Sequence, residues 1–160
     1  MEQAITKDLE APRFEEFGPL LIAGLGETYK AAGGAAIPAQ WQRFVAYLGR
    51  IPGQRGGMTY GVICNGDHAG NWDYICGVEV ADSSNQPAEF SRVTLPQKKY
   101  AVFSHRGHIS TIRGTWDGIW GQWAPTAGMR IASAPRFERY SESFDPTGMG
   151  GVEILIPLEE

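Results

Sequence analysis

The sequence predicts an α+β fold in which duplicated β-α-β-β units form a curved, barrel-like antiparallel sheet with two helices and a central groove. The first observation is an apolar spacing of 4, 7, 8 and 11 residues, typical of one helix face, which occurs twice, 75 positions apart. It starts at Ile37 and again at Ile112. The second is the triplet Gly77-Val78-Glu79, which recurs 74 positions later as Gly151-Val152-Glu153. A period this long indicates a duplication, because solenoid units span about 20 to 50 residues.

The first half, about residues 12–80, is expected to run strand, helix, strand, strand. Its first strand covers 13–26 and is bent or broken at Gly18-Pro19. Pro38 lies where a first helical turn tolerates proline, and the helix is expected to end near Gly49. Two strands over 58–64 and 73–80 complete this half.

The second half, about residues 90–158, opens with strands over 90–95 and 99–105 and closes with strands over 137–142 and 151–158. The helix between them is expected to start at Ser110, whose hydroxyl can cap the first free amides. It contains Gly114, Gly118 and Gly121, which indicates close packing or a helix that can move. Residues 1–160 are predicted to form one domain.

Composition limits the classes of function. The net charge of −4, with scattered Lys and Arg, argues against direct nucleic-acid binding. The N-terminus lacks a basic stretch followed by an apolar one, and the longest aliphatic run, Leu20 to Leu25, is too short for a membrane span of about 20 residues. We therefore expect a cytoplasmic protein without membrane contact. Cys64 and Cys76 could bridge across a hairpin, but buried free thiols are favoured.

Strand alternation singles out two glutamates. In the last strand Val152, Ile154, Ile156 and Leu158 share one face, so Glu153 lies on the other. In the preceding strand Phe137 is assigned to the core, which leaves Glu138 pointing the other way. We expect Glu138 and Glu153 to share a partly apolar groove in the concave middle of the sheet. Desolvation and like-charge proximity would raise the pKa of a carboxyl there.

Aromatic side chains are available to wall such a groove, since the chain has five Trp, six Tyr and seven Phe. The predicted ligand-binding residues are therefore Glu153, Glu138, Tyr140, Tyr29, Tyr60, Trp72 and Tyr74. Trp116, Trp120 and Trp123 follow an ordinary core spacing and are assigned to packing. A groove carboxylate can compensate a lipophilic cation, or it can act as a general acid or base. The alternative is that both glutamates line a sheet edge in water.

No cofactor or metal is predicted. His105 and His108 resemble half a metal site, but no further ligands with fixed spacing accompany them. Gly24-Leu25-Gly26 lacks the remainder of a phosphate-binding loop, and no Gly-x-Ser-x-Gly nucleophile motif occurs.

The stretch from Tyr100 to His108, YAVFSHRGH, followed by the Trp-rich helix, resembles the GyrI-like small-molecule-binding family. So do Phe137-Glu138-Arg139-Tyr140 and the closing GVEILIP from Gly151 to Pro157. The family includes the effector-binding domains that follow AraC-type DNA-binding modules. The resemblance implies a duplicated strand-helix-strand-strand fold and a groove for hydrophobic, often cationic, compounds. It also implies acidic residues in that groove that match Glu153 and Glu138.

Three functions stay open. The first is a binding module for lipophilic, cationic or aromatic molecules, either the effector sensor of a transcription regulator or a stand-alone protein that sequesters drugs or toxins. The second is a hydrolase of reactive strained-ring toxins, in which Glu153 or Glu138 activates water. The third is an inhibitor that engages a DNA-handling enzyme through its acidic surface.

Overall fold

A computed structural model describes residues 9–30, 34–67, 69–82, 85–142 and 151–159. It contains eight strands: β1 (Arg13–Phe17), β2 (Leu20–Tyr29), β3 (Thr59–Cys64), β4 (Trp72–Glu79), β5 (Phe90–Leu95), β6 (Lys98–His105), β7 (Arg136–Tyr140) and β8 (Val152–Leu158). The helices are α1 (Ile37–Val45), α2 (Ile112–Gly118) and the single turn α3 (Ala124–Thr126). A π-helical segment, Ile119–Trp123, joins α2 to α3.

All eight strands form one sheet in the order β1-β6-β8-β7-β3-β4-β2-β5, and every neighbouring pair is antiparallel. Only Gly18 and Pro19 join β1 to β2, although the two strands are six positions apart in that order. Six strand spacings measure about 29 Å in a flat sheet, whereas such a connection reaches about 10 Å. The sheet is therefore strongly curled but not closed, and the predicted α+β fold is confirmed.

The strand order places two similar halves side by side. β6-β8-β7 meets β3-β4-β2 at the β7–β3 pair, so corresponding strands lie at equal distances from that pair. The outer strands are exchanged: β1 precedes β2 in the chain but pairs with β6, and β5 precedes β6 but pairs with β2. The β7–β3 pair is thus the middle of the sheet.

The two faces of the sheet differ in what covers them. α1 and the α2 region pack on one face, called the outer face, over two apolar clusters. The opposite face, called the inner face, turns toward the inside of the curl and is filled by a third cluster. This cluster includes Tyr60, Ile75, Tyr100, Phe137 and Leu155, with Phe17 packed against it. The inside of the curl is therefore occupied by side chains.

The second helical region is less regular than predicted. His108, not Ser110, provides the cap: its side chain accepts a hydrogen bond from the Ser110 amide at the start of a 3₁₀ turn. The buried His105 contacts both the turn and α2, through the carbonyl of His108 at 3.0 Å and Thr115 Oγ1 of α2 at 2.7 Å. A π segment in place of an α-helical turn is unusual and is frequent at functional sites.

Other expectations have clear outcomes. The first strand is broken at Gly18-Pro19 as predicted. Cys64 and Cys76 are free and buried, and they oppose Asp73 and Gly61 rather than each other. Among the described residues, no helix combines the length and the apolar character needed to span a membrane.

Candidate functional site

Glu138 is a buried carboxylate at the centre of the outer face, and its side chain is held by three donors. Tyr74 and Tyr140 donate their hydroxyl protons to Oε1 at 2.7 and 2.8 Å, and Trp116 Nε1 donates to Oε2 at 2.9 Å. Only 6% of Glu138 is exposed. Because these donors come from β4, β7 and α2, the carboxylate ties both halves of the sheet to the second helix.

Gly61 makes room for this cluster. It faces Glu138 directly across the β3–β7 pair, in the middle of the five paired positions. A Cβ atom at Gly61 would lie 2.1 Å from Tyr74 Oη and 2.8 Å from Glu138 Oε1. Any larger residue would therefore displace the hydrogen bond between Tyr74 and Glu138.

Aromatic rings surround the carboxylate on both sides. Trp41 of α1 donates from Nε1 to Tyr74 Oη at 3.1 Å, and its ring lies 5.1 Å from that of Tyr140. On the other side the Trp116 ring is nearly parallel to Trp120, with centroids 6.5 Å apart. Burial, and then the Glu138 charge, raise the pKa of both Tyr74 and Tyr140 well above its ordinary value. Both hydroxyls therefore stay protonated and keep donating.

No cationic side chain neutralises Glu138 in the part of the chain that the structure describes, since none of its ion pairs includes this carboxylate. The donors that hydrogen-bond to Glu138 among these residues are neutral hydroxyl and indole groups. A buried carboxylate without a counter-charge is costly, and a cation that fits beside it would reduce that cost.

Glu153 lies on the opposite face of the sheet, so the prediction that Glu138 and Glu153 share one groove is wrong. In the β7–β8 pair Glu138 opposes Ile154, whereas Glu153 opposes Arg139. Directly opposed residues of an antiparallel pair project to the same face, and their sequence neighbours project to the other. Glu138 therefore lies under the helices, and Glu153 lies on the inner face with Arg139.

Two arginines neutralise Glu153. Arg139 donates from Nε and Nη2 to Oε1 at 3.0 and 2.6 Å, and Arg13 of β1 donates to Oε2. Burial raises the pKa of Glu153, but the hydrogen bonds and charges of Arg13 and Arg139 outweigh it and hold that pKa below its ordinary value. The expected rise in the pKa of Glu153 does not occur, because the sequence pattern did not reveal its arginine partners.

The remaining predicted residues divide between the faces. Tyr29 and Trp72 lie on the outer face with ring centroids 5.3 Å apart, and the Tyr29 hydroxyl donates to Gln40 at 2.7 Å. Gln40 is fully buried and donates to the carbonyls of Leu25 and Tyr74, which fixes α1 to the sheet. Tyr60 belongs to the inner-face cluster, away from Glu138. Of the seven predicted residues, Glu138, Tyr74 and Tyr140 come together.

Trp41 and Trp116 are the site residues that sequence reasoning missed. The helix spacing predicts packing, and both side chains do pack against apolar clusters. Each also sends its indole N–H to the Glu138–Tyr74 hydrogen-bond network. A signal was present, because the two tryptophans occupy equivalent positions of the repeat, 75 residues apart.

Two open surface pockets lie elsewhere. One of about 410 Å³ borders Glu153 and His105, and one of about 660 Å³ borders Asp73 and Arg92. Glu138 lines neither of these two, and its side chain is buried together with Tyr74 and Tyr140. In the described ranges no three His, Cys, Asp or Glu side chains converge as metal ligands would.

Comparison with known proteins identifies the same fold. The structure of SAV2435 bound to tetraphenylphosphonium is 21% identical, with a TM-score of 0.77 and 94% of each chain covered. A transcription regulation protein from Staphylococcus aureus MU50 is also 21% identical, with a TM-score of 0.73 over 93% of this chain and 98% of that one.

The sequence is also similar to a longer protein. The transcriptional regulator BrlR of Pseudomonas aeruginosa is 29% identical over 137 residues, which cover 82% of this chain and half the length of that relative. A family profile described as GyrI-like small molecule binding domain matches residues 10–159. The chain therefore belongs to the GyrI-like small-molecule-binding family, and the resemblance noted in its sequence is confirmed.

Proposed function

We propose that this domain binds lipophilic aromatic cations at Glu138, under α1 and the α2 region. The observation that carries the proposal is the buried Glu138 carboxylate, which accepts hydrogen bonds from neutral donors and has no ion pair among the described residues. A cation about 5 Å away would gain roughly 3 kcal/mol at an effective dielectric constant of about 20. Aromatic walls add cation–π attraction of about 0.5 to 2 kcal/mol.

The proposed site needs a wall that moves, since aromatic side chains enclose Glu138. We assign that wall to the α2 region, which carries Trp116 and changes from α to π geometry after Gly118. Gly114 and Gly121 meet no neighbouring atom where a Cβ would stand, so their lack of a side chain serves no close packing. Their conformational freedom lowers the cost of rearranging this segment.

The biological role follows from the same chemistry. We propose that the domain is either the effector sensor of a transcription regulator or a protein that sequesters drugs and toxins. In both roles it acts by binding its small-molecule ligand. Two relatives support this reading: SAV2435 was solved with tetraphenylphosphonium, an aromatic cation, and BrlR is a transcriptional regulator.

The test uses two probes of one shape and opposite charge, tetraphenylphosphonium and tetraphenylborate, titrated by tryptophan fluorescence. Wild type should bind the cation saturably and the anion at least tenfold more weakly. Glu138→Gln keeps the size and removes the charge, so we expect its affinity for the cation to fall by roughly 100-fold or more, as about 3 kcal/mol implies. Equal affinity of the wild type for both probes would refute the cation proposal.

Glu153→Gln is the matched control, because it removes the same charge from the inner face, where Arg13 and Arg139 already pair with it. Its affinity for tetraphenylphosphonium should stay within about threefold of wild type. A larger loss for Glu153→Gln than for Glu138→Gln would move the site to the inner face.

Hydrolysis of strained-ring toxins receives less support from the side chains. A general base needs a carboxylate free to accept a proton, but Glu138 accepts three hydrogen bonds and Glu153 is held by two arginines. Product formation at substoichiometric protein separates the two functions, because repeated turnover would indicate an enzyme and one equivalent of uptake would indicate binding.

A further inference from the structure

Arg136 lies two residues before Glu138 in β7 and therefore on the same outer face of the sheet. It opposes Ile63 on β3. On the outer face this pair is the direct neighbour of the central Gly61–Glu138 pair. Residues two apart in a strand are separated by about 6.6 Å. The buried acid thus has a basic side chain beside it, yet no ion pair joins the two among the described residues.

The Arg136 guanidinium is placed by an aromatic ring rather than by a carboxylate. Its Cζ lies over the Trp120 ring, 4.9 Å from the centroid. Trp120 is nearly parallel to Trp116, and Trp116 donates to Glu138. On the α2 side of the site, a row of neighbouring side chains therefore runs from Arg136 through Trp120 and Trp116 to the Glu138 carboxylate.

Stacking leaves the N–H donors of Arg136 available to a ligand. A guanidinium carries five N–H donors in its plane, and contact of its face with an indole engages none of them. In the described ranges no acceptor or carboxylate partners Arg136, and its side chain is half-buried. Burial also lowers the pKa of Arg136 from its ordinary value, the direction expected for a cation that lacks a counter-charge.

We infer that Arg136 is a specificity-determining residue that pairs with an anionic group on the ligand, so that the preferred ligand is an aromatic zwitterion. The cationic part of the ligand would lie against Glu138. The carboxylate of the ligand, or a similar anion, would lie against Arg136. This inference rests on the proposed binding site at Glu138 and adds the second charge of the ligand. A purely structural arginine would leave ligand preference unchanged, whereas an arginine in this role makes a zwitterion bind more tightly than a cation with the same rings.

The test compares rhodamine B, a zwitterion with a free carboxylate, with its ethyl ester, which has the same rings and only the positive charge. Dye fluorescence anisotropy gives both dissociation constants, and the xanthylium absorption confirms that bound rhodamine B is the open zwitterion. The variant is Arg136→Met, which keeps an apolar stem against Trp120. Arg113→Met, at an exposed position of α2, is the control, and Arg136→Lys tests rescue by charge.

Wild type should bind rhodamine B more tightly than the ester. In Arg136→Met the affinity for rhodamine B should fall roughly tenfold, as for one charge-assisted hydrogen bond, while affinity for the ester stays equal or rises. Arg136→Lys should recover part of the preference, and Arg113→Met should match wild type. An unchanged ratio of the two affinities in Arg136→Met would overturn the inference while leaving cation binding intact. If wild type binds tetraphenylphosphonium but neither dye, this inference is overturned and the proposed site at Glu138 stands.

Discussion

Gly61→Ala adds a single methyl group next to the Glu138 carboxylate, so it tests the described geometry of the site. The new Cβ would lie 2.1 Å from Tyr74 Oη, 2.7 Å from Tyr74 Cζ and 2.8 Å from Glu138 Oε1. Gly61 does not have a positive φ angle, so alanine fits its backbone conformation. Any loss of stability must therefore come from displacement of the Tyr74 and Glu138 side chains.

Two terms set the magnitude. Inserting a methyl group into a packed interior costs about 1 to 3 kcal/mol. Losing the hydrogen bond from Tyr74 to the charged Glu138 costs about 1.5 to 3 kcal/mol. We therefore expect Gly61→Ala to lower the free energy of unfolding by about 3 kcal/mol or more. For a chain of this size that corresponds to a fall in Tm of about 6 to 12 °C.

Urea unfolding followed by tryptophan fluorescence measures this loss, and Gly114→Ala provides the control. Gly114 lies in α2, and its added Cβ would meet no atom within 4 Å. That variant should gain about 0.5 to 1 kcal/mol from the helix propensity of alanine.

A double-mutant cycle identifies the contact itself. Tyr74→Phe removes the hydroxyl that lies nearest to the new Cβ, so Gly61→Ala should cost less in that background. Equal costs in both backgrounds, or a Gly61→Ala protein as stable as wild type, would refute the description of the site as a closed cluster around Gly61.

Two further predictions concern the rest of the sheet. The low pKa of Glu153 means that its ionised form stabilises the fold above its unfolded-state pKa of about 4.3 and that this contribution is lost as the pH falls through the lower folded value. The difference in unfolding free energy between wild type and Glu153→Gln should therefore be constant from about pH 8 to 5.5 and shrink below about pH 4; a difference that grows in acid would contradict the arginine pairing. Burial raises the pKa of Cys64 to about 11 and that of Cys76 further, so neither thiol should react with a disulfide reagent at neutral pH until urea unfolds the protein. Fast labelling of the native protein would show that one of them is exposed.

The repeat in the sequence is sufficient to predict the α+β class and the order of helices and strands, because each helix has its own apolar period and each strand its own alternation. The positions of both helices and the break at Gly18-Pro19 follow from local chemistry. The pairing of the exchanged edge strands is a long-range property, and no local pattern near Arg13 indicates that β1 lies against the second half.

The error over Glu138 and Glu153 has the same origin. Alternation within one strand separates its residues into two sets, but only the pairing register relates the sets of adjacent strands. The segment between β7 and β8 is long enough to allow the pairing register of these strands to shift by one residue. The sequence therefore does not determine which residues of β7 lie on the same face of the sheet as Glu153. The hydrogen bond from Trp116 to Glu138 is unpredictable for a different reason. A residue that packs on a core and one that binds a buried acid occupy the same face of a helix, so helix periodicity does not distinguish them.

The exchange of the two edge strands means that the halves of this protein are interlocked. Residues 13–17 complete the border of the second half, and residues 90–95 complete the border of the first. Cutting the chain at its midpoint would not yield two halves that fold independently, because each fragment would contain the edge strand that pairs with the other fragment. A single repeat unit on its own would leave its leading strand without the neighbour that it has here, so both units are needed to complete either border of the sheet.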